Sequence, residues 1–330
     1  MAKTISAARS CWVISDGRRG IENQALGLTE AMSRMRPLDI NTQIITNSGA
    51  FKAATPRMQF ALRGKPLDYG LTRPYPDIAI GCGRQAIAPL MALKRAAPAI
   101  FTCYIQDPHV GAEHFDLVIA PEHDDLSGPN VEPMIGAPGR ITRDMIVKAT
   151  VVFEDRLNAM PMPRVAMLIG GTSKSHKLTE ANHRQHKQAA VDALDQGYSL
   201  LITASRRTPD WVIADYAALA TKHDNIWLYD GTGKDNPYFA FLGGADVILV
   251  TEDSTNMLTE ACATGKSVFT LAMTGKAGKF QALYDALSAR CHMAPYAGHF
   301  NAADYEPLDE TSRIASHVWA HIDARKATLN

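Results

Sequence analysis

The chain lacks an excess of charge of either sign, because 34 Lys and Arg residues balance 34 Asp and Glu residues. Proteins that bind nucleic acid usually carry a surplus of basic residues, so we expect neither DNA nor RNA as a main partner. The sequence also contains no CxxC pair and no HExxH motif. It therefore offers none of the common zinc motifs, and we predict no metal site.

Cysteine is scarce in this sequence. The five cysteines are odd in number and widely spaced, and most lie in apolar strand or helix contexts: Cys11, Cys82, Cys103, Cys262 and Cys291. This spacing predicts buried, reduced thiols rather than a disulfide framework. Reduced cysteine is typical of cytoplasmic proteins.

Long apolar runs are absent as well. No stretch of 18 apolar residues occurs, and the segment Met1 to Ser10 has no apolar core of signal-peptide length. We therefore expect neither a membrane-spanning helix nor an export signal, and we predict a cytoplasmic protein.

The chain does contain a regular alternation of short apolar runs and helical patterns, which is typical of parallel α/β structure. Its 330 residues exceed the usual size of a single hydrophobic core. We predict an α/β fold of two Rossmann-like domains that face each other across a cleft, with residues 1–150 in the first and residues 164–303 in the second. Residues 304–330 are predicted to form a helix that packs back on the first domain.

The most informative motif follows the apolar strand Val247 to Val250 in the second half. An acidic, hydroxyl-rich turn leads there into a short helix that ends at Gly265. Asp253 or Ser254 is suited to cap this helix. Ligands of parallel sheets bind at the carboxyl ends of strands, so this turn is a candidate binding site.

Capping leaves the first backbone amides of this helix to face an anion, and these amides belong to Thr255, Asn256 and Met257. Glu260 lies further along the helix, where its oxygens can accept hydrogen bonds from a ribose diol. The motif predicts a nucleotide site. The alternative is an ordinary capped helix with a solvated glutamate.

A second strand-to-helix loop begins directly after the strand Val165 to Ile169. Its glycines permit close approach to the backbone, and its side chains offer donors for a diphosphate. The residues concerned are Gly170, Gly171, Thr172, Ser173, Lys174, Ser175, His176 and Lys177. We predict a phosphate-binding loop, assisted by Arg206 after the next strand; the alternative is a polar connection. The spacing GxxxxGK[ST] is absent here, and the fragment Gly231 to Lys234 lacks it too.

In the first half, a strand-to-helix loop over residues 15–24 lacks a GxGxxG motif. The candidates for binding an anionic acceptor or a phosphate are Arg18, Arg19, Asn23 and Gln24. Asp16 is a candidate general base. The alternative for the whole loop is a solvent-facing turn.

Two further turns follow strands in the first half and carry the remaining candidates for a general base. These candidates are Asp107, His109, Glu122 and His123. A base is needed because a hydroxyl nucleophile must lose its proton in the transition state. The sequence does not choose among them, and a structural role is the alternative for each. We interpret the cluster Glu122 to Asp125 as a solvated acidic loop rather than a metal site.

The segment Phe51 to Pro76 carries several basic residues against a single acid, Asp68. The basic residues are Lys52, Arg57, Arg63, Lys65 and Arg73, and the interleaved apolar residues are Met58, Phe60, Leu62 and Leu67. This composition favours peripheral contact with an anionic membrane surface and a lipid-linked acceptor. The alternative is a basic surface connection with a few core contacts.

Part of the second half resembles the donor-nucleotide region of GT-B glycosyltransferases and of UDP-N-acetylglucosamine 2-epimerases. The matching residues are Ala245-Asp246, Asp253-Ser254, Glu260-Ala261, Gly265 and Val268. The resemblance implies that Glu260 holds the ribose and that Ser254 to Asn256 approach the diphosphate. The epimerases typically have more glycine in this turn than this chain does.

Over nearly its whole length the chain resembles the mitochondrial fission, or elongated-mitochondria, protein family, which has many bacterial members. The residues that carry this resemblance are Ser15 to Gln24, Gly81 to Arg84, Gln106-Asp107-Pro108, Phe115 to Asp124, Gly170 to His176, Ser205 to Pro209 and Thr251 to Gly265. The family name describes a plant phenotype, so it implies the fold more than the reaction.

These observations lead to the hypothesis of a metal-independent, GT-B-type glycosyltransferase-like enzyme. Its donor would be a nucleotide-sugar, with a UDP-sugar as first candidate, bound in the second domain. No tightly bound cofactor is expected. A lipid-linked or glycan acceptor would bind in the first domain, with peripheral contact to the inner membrane face. Two alternatives stay open: a noncatalytic, membrane-associated division factor or scaffold, and a nucleotide-sugar epimerase.

Overall fold

A computed structural model describes residues 8–47, 49–233, 235–301, 303 and 305–329. Its contacts divide the chain into two compact units. One comprises Met1–Arg140 with Asp309–Asn330, and the other comprises Ile141–Leu308. Each unit contains a six-stranded parallel sheet flanked by helices.

The sheet of the first unit has the strand order β2-β1-β3-β4-β5-β6. Its strands are β1 (Arg9–Ser15), β2 (Leu38–Ile44), β3 (Ile78–Cys82), β4 (Phe101–Ile105), β5 (Leu117–Pro121) and β6 (Val131–Met134). The helices before residue 140 are α1 (Arg19–Met35), α2 (Gly49–Ala53), α3 (Pro56–Leu62) and α4 (Arg84–Ala96). Every residue of β3, β4 and β5 is buried, because helices cover both faces of a parallel sheet, and these strands are accordingly apolar.

The larger sheet of the second unit has the order β10-β9-β7-β11-β12-β14, and a small antiparallel pair joins β8 to β13. The strands are β7 (Arg164–Ile169), β8 (His176–Lys177), β9 (Ser199–Ala204), β10 (Ile226–Tyr229), β11 (Val247–Thr251), β12 (Ser267–Leu271), β13 (Thr274–Gly275) and β14 (Ala294–Pro295). The helices are α5 (Arg143–Val152), α6 (Glu154–Asn158), α7 (Glu180–Asp195), α8 (Asp210–Ala220), α9 (Tyr238–Gly244), α10 (Thr255–Cys262) and α11 (Gln281–Cys291).

The last helix, α12 (Glu310–Leu329), belongs to the first unit. Trp319 of α12 is buried, and its indole Nε1 donates to the carbonyl oxygen of Met32 at 3.1 Å. Arg313 donates to Glu132 on β6 at 3.1 Å. The helix therefore packs on α1 and on the edge of the sheet. Asp304, the predicted start of this segment, lies outside the described residues, as does Lys234.

The division between the units falls after Arg140 rather than at the predicted residue 150. The reason is that α5 packs closely on α9 within the second unit. A Cβ atom added to Gly243 would lie only 2.1 Å from Oγ1 of Thr150. Helix α5 thus belongs to the second unit, although we predicted its residues in the first domain.

In both large sheets, the direction in which the chain adds successive strands reverses at an inner strand. In the first unit, the chain moves from β1 outward to β2 and then returns to the other side of β1 with β3. In the second, it moves from β7 outward through β9 to β10 and returns beside β7 with β11. Crevices at the carboxyl ends of such strand pairs are the usual ligand sites of open α/β sheets. The predicted motifs at Gly170 and Asp253 flank the crevice between β7 and β11.

The five cysteines are all buried and free, as predicted. Within the described part of the chain, no three His, Cys, Asp or Glu side chains are grouped so that they could hold a metal ion. No described helix is both long and apolar enough to cross a bilayer.

Candidate functional site

The centre of the crevice in the second unit is the carboxylate of Asp253. Its side chain is 0% exposed. Oδ1 accepts from the hydroxyl of Thr251 at 2.7 Å, and Oδ2 accepts from Arg207 Nη2 at 2.6 Å and from the amide of Gly171 at 3.2 Å. Protein donors therefore occupy both oxygens of Asp253. We predicted a contact between this residue and the nucleotide, but its geometry serves to join the loops after β7, β9 and β11.

Close packing around Asp253 also explains the pair of glycines after β7. A Cβ atom on Gly170 would lie 2.0 Å from Oδ1 of Asp253, and one on Gly171 would lie 1.9 Å from the carbonyl oxygen of Arg207. Distances under 3 Å are not tolerated by real Cβ atoms. Glycine is thus required here by the approach of two other loops, which differs from the predicted approach of a ligand.

The rest of the loop after Gly171 is held largely by its own hydrogen bonds. The amide of Ser173 donates to the carbonyl of His176 at 2.8 Å, and the amide of His176 donates to Oγ of Ser173 at 3.1 Å. Ser175 Oγ lies 3.0 Å from Nδ1 of His176, and Thr172 Oγ1 accepts from the amide of Leu178 at 3.2 Å. The hydroxyl oxygens of Thr172 and Ser173 therefore accept bonds from nearby backbone amides, which fixes their positions.

Three predicted cations of this region are exposed: Lys174, Lys177 and Arg206. The neighbouring Arg207, which the sequence analysis missed, is the residue that pairs with Asp253. Thr208 was also missed, and its hydroxyl lies 2.9 Å from the carbonyl oxygen of Ile169 and 2.8 Å from that of Gly170. The run of polar residues after β9 was visible in the sequence, but nothing there distinguished Arg207 from Arg206.

Helix α10 begins with a side-chain cap supplied by Ser254. Its Oγ accepts from the amide of Met257 at 3.3 Å, so Ser254 rather than Asp253 is the capping residue. This bond removes the Met257 amide from the predicted set of anion donors. The amides of Thr255 and Asn256 have no acceptor among the described residues. They are the two groups at this helix end that can bind an anion.

Glu260 lies on α10 and is largely buried. Its Oε2 accepts a hydrogen bond from the hydroxyl of Tyr238 at 2.6 Å. Burial raises the pKa of Glu260, and the bond from Tyr238 partly opposes this shift. Burial also raises the pKa of Tyr238 well above its ordinary value, with the charge of Glu260 as the next cause. The sequence analysis missed Tyr238, whose only signal was an aromatic residue at the start of a helix that follows β10.

In the first unit, the loop between β1 and α1 does not present the predicted free base. Asp16 Oδ2 pairs with Arg18 Nε at 2.8 Å, and Oδ1 accepts from the Arg18 amide at 3.2 Å. Arg19 and Asn23 are exposed. Gln24 instead turns toward the protein, where its Oε1 accepts from Gln106 Nε2 at 3.1 Å.

The turn after β4 contains the best-formed candidate for a general base. Asp107 Oδ1 accepts from the amide of His109 at 2.7 Å, and Asp107 Oδ2 lies 2.8 Å from Nδ1 of the same histidine. The imidazole is 84% exposed, which leaves its Nε2 accessible. A carboxylate on Nδ1 orients the ring and stabilises the imidazolium that forms when Nε2 takes a proton.

The other predicted histidine is placed differently. The side chain of His123 is only 8% exposed, and its Nε2 lies 3.8 Å from Oδ1 of Asp124. It belongs, with Glu122, to a short 3-10 turn, Glu122–Asp124. The structure therefore favours the pair Asp107 and His109 over His123, a choice that the sequence did not permit.

The fold defines a GT-B-like class of protein, with two Rossmann-like units that each have a parallel sheet. UDP-GlcNAc 2-epimerase from Methanocaldococcus jannaschii superposes with a TM-score of 0.56 at 11% identity, over 94% of this chain and 99% of that chain. A spinosyn forosaminyltransferase superposes with a TM-score of 0.51 at 11% identity, over 97% of this chain and 95% of that chain. At these identities the likeness establishes the fold alone.

The chain belongs to the mitochondrial fission ELM1 family, whose model matches residues 19–322. The mitochondrial fission protein ELM1 of Arabidopsis thaliana is 26% identical over 281 residues, which cover 77% of this chain and 66% of the plant protein. This chain thus spans slightly less than two thirds of that relative. The predicted family resemblance and the predicted GT-B-like α/β class are both confirmed.

Proposed function

We propose that the protein is a GT-B-type glycosyltransferase-like enzyme that takes a nucleotide-sugar donor, with a UDP-sugar as first candidate. The observation that carries this proposal is the set of groups beside the crevice of the second unit. Glu260, the first amides of α10 and two exposed cations all follow strands of one sheet. A carboxylate near an anion-binding helix end suits a nucleotide, because a ribose diol and a phosphate lie close together in such a ligand.

In this scheme Glu260 binds the ribose through the carboxylate oxygen that Tyr238 does not use. The amides of Thr255 and Asn256 bind the diphosphate, and Lys174 and Arg206 add positive charge. These fixed donors stabilise the leaving group as negative charge develops on it. The charge of Asp253 does not oppose the diphosphate strongly, because Arg207 pairs with it.

In this proposal the first unit binds the acceptor and provides the general base. His109, oriented by Asp107, takes the proton from the acceptor hydroxyl as it attacks the sugar. The reaction as proposed needs no metal ion, because fixed amides and cations perform the leaving-group stabilisation.

Peripheral contact with an anionic membrane is part of the proposal. Met58, Leu62 and Leu67 are 54%, 71% and 67% exposed, and they lie among the basic residues of the segment Phe51 to Pro76. Exposed apolar side chains beside cations suit insertion at a charged bilayer surface. Flotation with phosphatidylglycerol vesicles should be lost in an Arg63→Gln, Lys65→Gln double variant. Unchanged flotation would remove this part of the proposal.

Calorimetric titration of UDP, UDP-GlcNAc and other nucleotide-sugars tests the donor site. Glu260→Gln should bind the preferred nucleotide at least tenfold more weakly than the wild type, whereas the exposed control Glu154→Gln should bind it equally well. At a concentration of about a hundred times its dissociation constant, the ligand should stabilise the wild type by about 2.7 kcal/mol.

This titration, together with assays of turnover and of deuterium incorporation from solvent, separates the candidate functions. Absence of binding to every nucleotide would overturn the transferase and epimerase hypotheses together. Binding without turnover for any acceptor would favour a noncatalytic scaffold. Entry of solvent deuterium into the sugar without an acceptor would identify an epimerase.

A further inference from the structure

The first unit contains a cavity of about 680 Å³ at the carboxyl end of β4. Three parts of the chain form its wall: the junction of α2 and α3, the first turn of α4, and the turn after β4. Its volume lies within the range of small-molecule sites, roughly 300–1,000 Å³. Asp107 and His109, the proposed base and its partner, line the cavity.

Two arginines line this cavity without a carboxylate partner. Arg57 Nη2 donates to the carbonyl of Val110 at 3.0 Å. Arg84 Nη2 donates to backbone carbonyls of residues 52, 53 and 54. Carbonyl oxygens fix the position of a guanidinium but do not neutralise its charge. Among the residues that the structure describes, no acid lies within ion-pair distance of Arg57 or Arg84.

The one carboxylate in the wall, that of Asp107, forms no ion pair with either arginine. Asp107 is engaged with the amide and the ring of His109. Arg84 is also the first residue of α4, whose N-terminal end contributes further positive potential. With the imidazole of His109 neutral, the cavity therefore has two guanidiniums against one carboxylate, an excess of one positive charge, and each guanidinium can donate several hydrogen bonds.

Most of the remaining wall is apolar. Ile87, Tyr104 and Val110 are at most 2% exposed to solvent. The turn that closes the wall is held in a demanding backbone conformation, with φ of 90° at Gln106 and 53° at His109. Gln106 is fixed there because its amide donates to the carbonyl of Ile119 at 2.8 Å. A preformed cavity with an apolar wall and two cations suits an amphiphilic anion.

We infer that this cavity binds a phosphate monoester carried on an apolar chain, with the phosphate on Arg57 and Arg84 and the chain against Ile87, Tyr104 and Val110. Two unpaired guanidiniums match the charge of a phosphate dianion, and their forked donors match its oxygens. That this molecule also carries the hydroxyl that His109 deprotonates rests on the proposed function; its binding to the cavity does not.

Titration of the full chain with hexyl phosphate, inorganic phosphate and hexanol tests the inference. Hexyl phosphate should bind at least tenfold more tightly than either of the other two. Arg57→Gln and Arg84→Gln should each weaken it at least tenfold, whereas Arg95→Gln should not. Arg95 is a suitable control because it is a nearby arginine that packs on the ring of Phe60 at 4.6 Å rather than lining the cavity.

A Val110→Ser variant tests the apolar wall separately. It should weaken hexyl phosphate while leaving inorganic phosphate unchanged. Equal affinity of the wild type for hexyl phosphate and inorganic phosphate would overturn the apolar half of the inference and identify a site for free phosphate. Binding of phosphatidic acid vesicles but not of hexyl phosphate would overturn the cavity site in favour of a headgroup contact at the surface.

The comparison among the three ligands uses only the wild type, so it stays decisive even if an arginine variant fails to fold. None of these measurements contains a nucleotide. Loss of the glycosyltransferase proposal would therefore leave the result for the cavity intact, and failure of hexyl phosphate to bind would leave the donor site untouched.

Discussion

At the scale of single residues, Asp253 is the group that organises the second unit's crevice. It is a fully buried carboxylate whose bonds join three loops that lie far apart in the sequence. A buried charge is stable only when donors surround it. The candidate binding groups on α10 and after β9 depend on this arrangement, although Asp253 itself contacts no ligand in our proposal.

Removing the positive partner of Asp253 should therefore destabilise the protein. Arg207→Ala leaves the buried carboxylate with only the Thr251 hydroxyl and the Gly171 amide. Since hydrogen bonds to charged groups contribute more than neutral ones, we expect a loss of about 2 kcal/mol in the free energy of unfolding, measured by urea denaturation. Arg206→Ala is the matched control and should change stability by less than about 0.5 kcal/mol. Equal losses in both variants would contradict the assigned pairing.

Glu260 should make stability depend on pH in a defined direction. Burial raises its pKa, so the folded protein retains the proton at pH values where the unfolded chain has released it. The corresponding stabilisation is fully present below the unfolded pKa, about 4.3, and is lost as the pH rises through the folded pKa.

Glu260→Gln removes this titration while keeping an oxygen for the Tyr238 hydroxyl. The melting temperature of the variant, relative to that of the wild type, should therefore be higher at pH 7.5 than at about pH 4. Differential scanning calorimetry at the two pH values measures this difference. A difference in melting temperature that is the same at both pH values would show that Glu260 titrates normally in the folded protein.

At the scale of secondary-structure elements, the start of α10 is the part of the site that a local change can test. Ser254 satisfies the Met257 amide and so fixes where the helix begins. The free amides of Thr255 and Asn256 keep their direction only while this end of the helix is ordered. Capping is thus connected both to stability and to the proposed binding of a diphosphate.

Ser254→Ala should lower the free energy of unfolding by about 1 kcal/mol, because the helix loses its side-chain cap. Ser254→Asp should restore stability, since aspartate is an equally good cap, but its negative charge should weaken the binding of a diphosphate. Denaturation and nucleotide titration on both variants measure the two effects. Tighter nucleotide binding in Ser254→Asp would argue against a phosphate at this helix end.

The turn after β4 places an Asp–His pair on a backbone with an unusual conformation. Four residues, from Gln106 to His109, contain two positive φ angles and the only described Asp–His pair in which the imidazole is mostly exposed. Backbone strain of this kind persists where surrounding bonds enforce it, and it is common at functional sites. Both the proposed base and the inferred phosphate cavity depend on this one turn.

At the scale of the whole molecule, the first unit is completed by a segment from the far end of the chain. Helix α12 contributes several buried residues to a core shared with α1 and the sheet: Ile314, Ala315, Val318, Trp319 and Ile322. The guanidinium of Arg36 also lies over the Trp319 ring, with its Cζ 4.9 Å from the ring centroid. The first unit therefore needs both ends of the sequence.

Trp319→Ala should destabilise the first unit by about 3–5 kcal/mol, because it removes a large buried side chain and leaves a cavity. Hydrogen exchange should accelerate in β1 and α1 but stay unchanged in β7 and β11. Trp211→Ala is the control, since that indole is 43% exposed, and it should have a much smaller effect. Accelerated exchange in β7 and β11 as well would mean that the two units unfold as one.

The α/β class, the family and most of the parallel strands can be inferred from the amino-acid sequence alone. Strands β7 and β11 each extend only one residue beyond the predicted Val165 to Ile169 and Val247 to Val250, and the buried strands β3 to β5 are apolar runs in the sequence. The physical reason is that a parallel strand covered on both faces must be apolar along its length. Strand β6 forms no apolar run in the sequence, because it lies at the sheet edge and contains a glutamate and a proline.

Which polar residues contact each other, by contrast, depends on the folded arrangement of the loops. Arg207 with Asp253, Tyr238 with Glu260, and Arg57 with the cavity wall are contacts between residues far apart in the chain. Periodicity reports which face of an element is buried, but hydrogen-bond partners depend on how loops from different strands converge. The sequence therefore located the edges of the sheets where binding groups gather, and the fold selected the particular side chains.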